Sequence, residues 1–270
     1  MRFPIRALMA CIVIWPHAIP AGQESIRYIA VLVDITDSFS RQQSWARGKA
    51  FALLGSLAQQ RLHRWESATD QIALISVDAL PDILWQGSLR QLKTIDPAHW
   101  PSLLKTRKEY AGCTDVAGSL EQALQFFDQA PAEATRYLYV FSDLVHDPPE
   151  AAIRTCQPPI PVPETFAWKR LDGIDASVYG VPIEQKWAWH QVLEAHDLHE
   201  TFALYTAAES VDRPVALPAR PIAQFTAEEL KTKRAAYAQW GEYVLWGIGG
   251  ITLLVVCITV GVLLMGRDAA

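Results

Sequence analysis

Residues 27–40 read RYIAVLVDITDSFS, an apolar, β-branched run that stops at three oxygen-bearing side chains, Asp34, Thr36 and Ser38. Tyr28 to Val33 is too short for a free-standing helix and too uniformly apolar for a strand with one wet face. The pattern therefore predicts a central strand of a parallel sheet covered on both sides. Ligands of such sheets gather at the carboxyl ends of the strands. Asp34 falls there, and once the turn breaks the two-residue alternation, side chains 34, 36 and 38 can converge on one point. Oxygen donors alone select a hard cation, magnesium before calcium.

The chain beyond this stretch alternates between strand and helix patterns. Gln42 to Arg61 carries Trp45, Phe51, Leu53, Leu54 and Leu57 at helical spacing, which predicts a crossover helix. Gln71 to Val77 is a strand, and Asp82 to Ser88 an edge strand paired antiparallel. Ile95 to Tyr110 predicts one short helix begun at Pro101, followed by the loop GCTD and an amphipathic helix from Val116 to Phe127 capped by Asp115. Tyr137 to Phe141 is a strand that ends at Ser142-Asp143 as the first ends at Asp34. Prolines then leave room for only a short helix around Glu150 to Thr155, and the segment to Leu171 is mostly loop. Ile174 to Val181 is a strand, Ile183 to His196 a helix, and Glu200 to Tyr205 a last strand. The expected fold is α/β, a doubly wound, mostly parallel central sheet with helices on both faces, spanning residues 26–210.

The two ends read differently. Residues 1–22 place Arg2 and Arg6 before an apolar run from Ala7 to Trp15 and small residues at Ala18, Ala21 and Gly22, the layout of an export signal, cleaved or retained as an anchor. Residues 211–225 are a stiff linker with Pro214, Pro218 and Pro221. Thr226 and Glu229 form a capping-box pattern opening a stalk helix over 226–243. Residues 244–265 are free of charge and long enough to span a bilayer, with Trp240, Tyr243 and Trp246 at its border and a short tail, 266–270, beyond. The expected location is the cell membrane, with the soluble part exported. A net charge of −5 offers no basic field for phosphate backbones, which excludes nucleic acid as an expected partner. Cys113 and Cys156 fall in loops at the same carboxyl edge, where they can pair in an oxidising compartment or remain free thiols.

Three separated pieces thus point to one edge of one sheet: Asp34-Ile-Thr36-Asp-Ser38, Thr114 in GCTD, and Asp143 in FSDL. This set resembles the von Willebrand factor A (VWA) domain family, over about Arg27 to Ala207. The family's metal-ion-dependent adhesion site (MIDAS) takes an Asp-x-Ser-x-Ser loop, a threonine from a second loop and an aspartate from a third. The resemblance implies metal ligation by Asp34, Thr36, Ser38, Thr114 and Asp143, with Mg2+ as the ion and Mn2+ or Ca2+ as substitutes. It also implies a binding module and not an enzyme, whose protein partner offers an acidic side chain, in an oligomer or an envelope or secretion-related assembly. The sequence departs from the pattern at Thr36 for serine, at Asp37 where many members have glycine, and at Leu144 where glycine often follows the aspartate.

Other readings stand beside this one. A metal-dependent phosphohydrolase with Asp34 as nucleophile needs a second acid two residues on, where Thr36 stands, and a paired base. A metal-independent scaffold subunit of a membrane complex needs only the sheet and a tryptophan-rich surface. His196, His199 and Glu200 have metal-capable side chains but mark a solvated helix end. His146 and Asp147 either line the rim or make a turn before Pro148. Trp187 and Trp189 suit core or interface positions.

Overall fold

The computed structural model describes residues 26–37, 39, 44–59, 70–104, 112–150, 155–163 and 165–215, all within one compact unit, Ser25–Pro221. The expected signal, stalk and membrane-spanning segments lie outside the described residues. Among the described residues no helix is long and apolar enough to cross a membrane.

The strands are β1 (Arg27–Asp34), β2 (Gln71–Val77), β3 (Ile83–Ser88), β4 (Thr135–Phe141), β5 (Ile174–Val181) and β6 (Phe202–Thr206). They form a sheet in the order β3-β2-β1-β4-β5-β6. Every pairing is parallel except β2 with β3, the antiparallel edge expected from the short connection. Strand β1 is central because both its faces are apolar: Ile29, Val31 and Val33 enter one core, Ala30 and Leu32 the other.

Helices α1 (Ser44–Gln59), α2 (Leu89–Leu92), α3 (Trp100–Leu103), α4 (Val116–Phe127), α5 (Ile183–Ala195) and α6 (Ala207–Asp212) cover the sheet unequally. Helix α1 lays Ala46, Ala50, Leu53, Leu54 and Leu57 on the face of Ile29 and Val31, each buried leucine contributing about 2 kcal/mol. Helices α4 and α5 cover the opposite face through Leu120, Leu124, Trp189 and Leu193. Coverage of both faces, as expected, holds for the centre of the sheet. At β5 and β6 the described helices leave part of the α1 face open, with Asp175 exposed and Ser177 and Ala203 half-buried.

Three further differences have local causes. The helix expected to start at Pro101 is preceded by a 3-10 turn, Pro97–His99, because the Asp96 side chain accepts the Ala98 amide at 3.0 Å. Pro101 then sits in the first turn of α3, where its missing N–H costs nothing. Helix α2 is set by a reciprocal capping box between Ser88 and Gln91, too short to show as periodicity. Packing also continues past position 210: Thr206 and Glu209 cap α6, and Val215 lies against the α1-side core.

At the amino edge, away from Asp34, Arg27 and Asp70 are both 2% exposed. The guanidinium reaches the carboxylate at 2.6 Å and 3.1 Å, and the Arg27 amide donates to it as well. A charge pair this deep persists because the partners neutralise each other.

Candidate cation site at the carboxyl edge

Parallel pairing puts the end of β1 between the ends of β2 and β4, with Asp34 opposite Val77 and Val33 opposite Phe141. The chain leaving β1 bonds once more to its neighbour, Ile35 N–H to Val77 O at 3.1 Å, and then turns. That turn bends Thr36 back on Asp34. Oδ1 of Asp34 accepts the Thr36 amide at 3.0 Å and the Thr36 hydroxyl at 2.6 Å. Oδ2 accepts the Ser142 hydroxyl at 2.8 Å. Asp34 is fully buried, and burial, helped by the charge of Asp143, pushes its carboxyl up to about 7.

Ser142 fastens the second piece. Its amide donates to Tyr179 O at 3.1 Å on β5, and its hydroxyl accepts the Leu144 amide at 3.0 Å. Leu144 takes φ 59°, the left-handed conformation, at the position where the family pattern has glycine. The bulky residue is held there by burial, at 1% exposure. Asp143, at the start of this turn, accepts the Val145 amide at 3.1 Å, and burial raises its carboxyl too. Gly180, at φ 102° in the β5 bulge, lets this corner close: a Cβ there would meet the Phe39 ring at 3.2 Å and Ser142 O at 3.3 Å.

Thr114 joins the rim through Asp147. The two residues form an antiparallel bridge, with Asp147 N–H to Thr114 O at 2.9 Å and Thr114 N–H to Asp147 Oδ1 at 2.8 Å. Asp115 bonds through its amide to Asp78 O, just past β2, and its carboxylate caps α4 at Gly118 N–H, 2.8 Å. The Val116 amide donates to His146 Nδ1 at 3.2 Å. This role requires the neutral ring, and burial lowers the pKa of His146 against the pull of Asp115, 3.8 Å away. Cys113, next to Thr114, is disulfide-bonded to Cys156, and Pro149 bridges to Cys156. The Thr114 loop and the loop after β4 are therefore joined covalently as well as by hydrogen bonds.

Asp34, Thr36 and Asp143 are thus brought together, and Thr114 stands on the same rim. Ser38 lies outside the described residues. Asp37 is exposed, unlike the buried Asp34. His146 and Asp147 belong to the rim as structural partners of α4 and Thr114. His196 closes α5 and stacks on Trp168 at 6.2 Å, while His199 and Glu200 are exposed. Trp189 is core, donating to Pro161 O at 2.8 Å, and Trp187 is 69% exposed. The residue that sequence reasoning missed is Ser142. Its signal was a hydroxyl immediately before Asp143, one residue past the end of β4.

The donor set is of oxygen atoms alone, the kind a hard cation takes. Among the described residues no three His, Cys, Asp or Glu side chains cluster closely enough to hold an ion, so threonine hydroxyls are needed to complete a shell. The Thr36 hydroxyl gives its proton to Asp34, which leaves oxygen lone pairs for a metal. Among the described residues neither Asp34 nor Asp143 forms an ion pair with lysine or arginine. A buried carboxylate beside a half-buried one, with no basic partner among the described residues, lacks the positive charge that a divalent ion supplies.

No protein-family profile matches the sequence, and no curated protein matches it. Among solved structures the chain is similar to the pilus adhesin SpaC from Lactobacillus rhamnosus GG, at 12% identity and TM-score 0.49, covering 70% of this chain and 29% of that one. It is similar to a von Willebrand factor type A protein from Catenulispora acidiphila at 12% identity and TM-score 0.46, covering 70% and 41%. A third is proximal thread matrix protein 1 from the mussel byssus, with a zinc-occupied MIDAS motif, at 11% identity and TM-score 0.44, covering 69% and 45%. The chain spans less than half the length of each, and likenesses this distant decide nothing about the site.

Proposed function

We propose that the protein is an exported, membrane-anchored binding module of the VWA type, which engages a protein partner through a divalent cation. The ion is Mg2+, with Mn2+ or Ca2+ as substitutes, and its ligands are Asp34, Thr36, Ser38, Thr114 and Asp143. The observation that carries the reading is Asp34 itself, a fully buried carboxylate oriented by Thr36 and Ser142 beside a second acid, with no basic side chain among the described residues to neutralise the pair. Two carboxylates balance a divalent ion and the hydroxyls add no charge, so the bound ion supplies an electrophilic vertex for one more anionic oxygen. A partner's acidic side chain meets that demand. The residues of this chain bind and orient; a phosphohydrolase would need an acid where Thr36 stands, which favours a non-enzymatic role.

Export is supported by the Cys113–Cys156 disulfide, which belongs to an oxidising compartment. Anchoring rests on residues 244–265, and the partner is expected in an envelope or secretion-related assembly. The test is a crosslinking pull-down from native membranes with and without chelator, comparing wild type with Thr114→Ala. The reading expects a partner retained only by wild type and only with the divalent ion. Equal retention in all four samples would replace it with a metal-independent scaffold.

A further inference from the structure

Beside helix α1, which contacts β1 and β4, the same side of the sheet carries a groove of about 440 Å³ over β4, β5 and β6. Side-chain length makes it. Ser177 and its β6 partner Ala203 are short and half-buried, set between Tyr139, the β4 partner of Ser177, and the longer Tyr179 and Tyr205 two residues on. Tyr137, opposite Asp175, extends the wall. It is 4% exposed, yet its hydroxyl has no hydrogen-bond partner among the described residues. A phenol buried to this degree and lining a groove keeps a donor and an acceptor for whatever enters.

The amino end of the groove is acidic. The Thr201 carbonyl accepts the Ala176 amide at 2.8 Å, which sets Glu200 beside Asp175, and both side chains line the groove and are exposed. Among the described residues neither carboxylate has an ion-pair partner. The charge of Asp175 reaches Tyr137, whose pKa is raised by burial first and by this carboxylate second. His199 stands at the same end. The buried cation at this edge, Arg27, is neutralised by Asp70 at 2.6 Å. The tyrosines of this side already take one guanidinium, since that of Arg213 lies 4.2 Å from the centre of the Tyr205 ring. Tyr205 in turn lies 5.1 Å from Tyr179.

We infer that this groove is a binding site for an arginine side chain presented by a protein partner, its guanidinium held by Asp175 and Glu200 within reach of the Tyr137 hydroxyl. The charge is complementary, two carboxylates meeting one cation. The donor count selects guanidinium over ammonium. Two carboxylates and a phenol oxygen are spread acceptors, which five N–H donors on a planar fork reach and three on one nitrogen do not. The tyrosine walls favour the same group, because a guanidinium is weakly hydrated and stacks on aromatic rings. A volume of about 440 Å³ is in the range of small-ligand sites and takes the arginine with the backbone on either side of it. The site lies at the amino edge, away from Asp34, and needs no divalent ion, so it stands or falls apart from the cation reading.

The test is a saturation-transfer NMR titration of the full chain, in detergent and chelator, with the blocked peptide acetyl-Gly-Arg-Gly-amide and with the same peptide carrying lysine or citrulline. The arginine peptide should bind saturably, the lysine peptide more weakly, and the citrulline peptide, an uncharged isostere, not at all. Asp175→Asn and Glu200→Gln, both at exposed positions, should each weaken the arginine peptide about threefold to fivefold, the scale of one exposed ion pair. Tyr137→Phe should weaken it with the thermal midpoint unchanged. No saturable binding up to about 10 mM, equal binding of the citrulline peptide, or indifference to both acidic substitutions overturns the inference. Equal binding of the lysine peptide overturns the choice of guanidinium. Acetyl-arginine-amide binding as tightly as the peptide overturns the protein partner in favour of a free small cation.

Discussion

The Ser142 hydroxyl donates to Asp34 Oδ2 at 2.8 Å and accepts the Leu144 amide at 3.0 Å, so one side chain ties the end of β1 to the turn leaving β4. All three groups are buried. Ser142→Ala leaves a carboxylate oxygen and an amide without this partner and should destabilise the unit by about 1–3 kcal/mol. Urea unfolding checks this, and an unchanged midpoint would mean that water replaces the hydroxyl at no cost.

Leu144 sets backbone strain against burial. Replacing it with glycine relieves about 1–2 kcal/mol of left-handed strain but removes a side chain 1% exposed, a loss of about 3–5 kcal/mol for leucine truncation. Burial wins, and Leu144→Gly should be less stable than wild type by about 2 kcal/mol. A more stable variant would show that the turn, and not the core, fixes this residue.

The Asp34 carboxyl, pushed up to about 7 from 3.8 by burial and Asp143, makes the ion-free protein pH-sensitive. Between those values the folded state holds a proton that the unfolded chain has released. The stabilisation is complete below the unfolded value and is lost as pH rises through about 7. Asp143 and Asp147 shift in the same direction. His146 opposes them, since its lowered pKa favours the fold at higher pH. In chelator the thermal midpoint should fall between about pH 5 and 7 and level off above, and Asp34→Asn should flatten the fall. A midpoint that rises over this range in wild type contradicts the assignment.

Much of this was legible in the sequence because strands buried on both faces are written as unbroken apolar runs. Gln71–Val77 has the boundaries that this pattern predicts, and the strand Ile174–Val181 and the amphipathic helix Val116–Phe127 also stand where the sequence places them. The short elements were not legible. Helix α2 and the Pro97–His99 turn are set by single side-chain caps, which leave no periodicity. Of the site, Asp34, Thr36, Thr114 and Asp143 were readable because each stands where an apolar strand or helix begins or ends. Ser142 was not, because its role comes from β1 and β4 lying side by side, a relation over 108 residues.

The disulfide joins loops 43 residues apart, and a crosslink of that span restricts the unfolded chain by about 4 kcal/mol. Reduction, or Cys156→Ser, should lower the thermal midpoint and weaken ion binding in parallel, since Thr114 follows the bridged cysteine. Loss of stability with unchanged ion affinity would show that the hydrogen bonds to Asp147 suffice to hold Thr114.

Arg27 and Asp70 supply the control. Asp70→Ala removes the carboxylate that neutralises a guanidinium at 2% exposure and should cost about 3–5 kcal/mol. The pair lies at the amino edge, so the residual folded protein should bind the ion as wild type does. A matching loss of ion affinity would mean that the two edges are coupled through β1.

The central claim is that loops from distant parts of the chain jointly hold one divalent ion, and calorimetric titration of Mn2+ into the purified protein at pH 7.5 tests it most directly. The account predicts a single site per chain, Mg2+ competing for it, and Thr114→Ala and Asp143→Ala each weakening it by at least about tenfold. No heat of binding in a folded, disulfide-intact wild type, or binding indifferent to both substitutions, would contradict it.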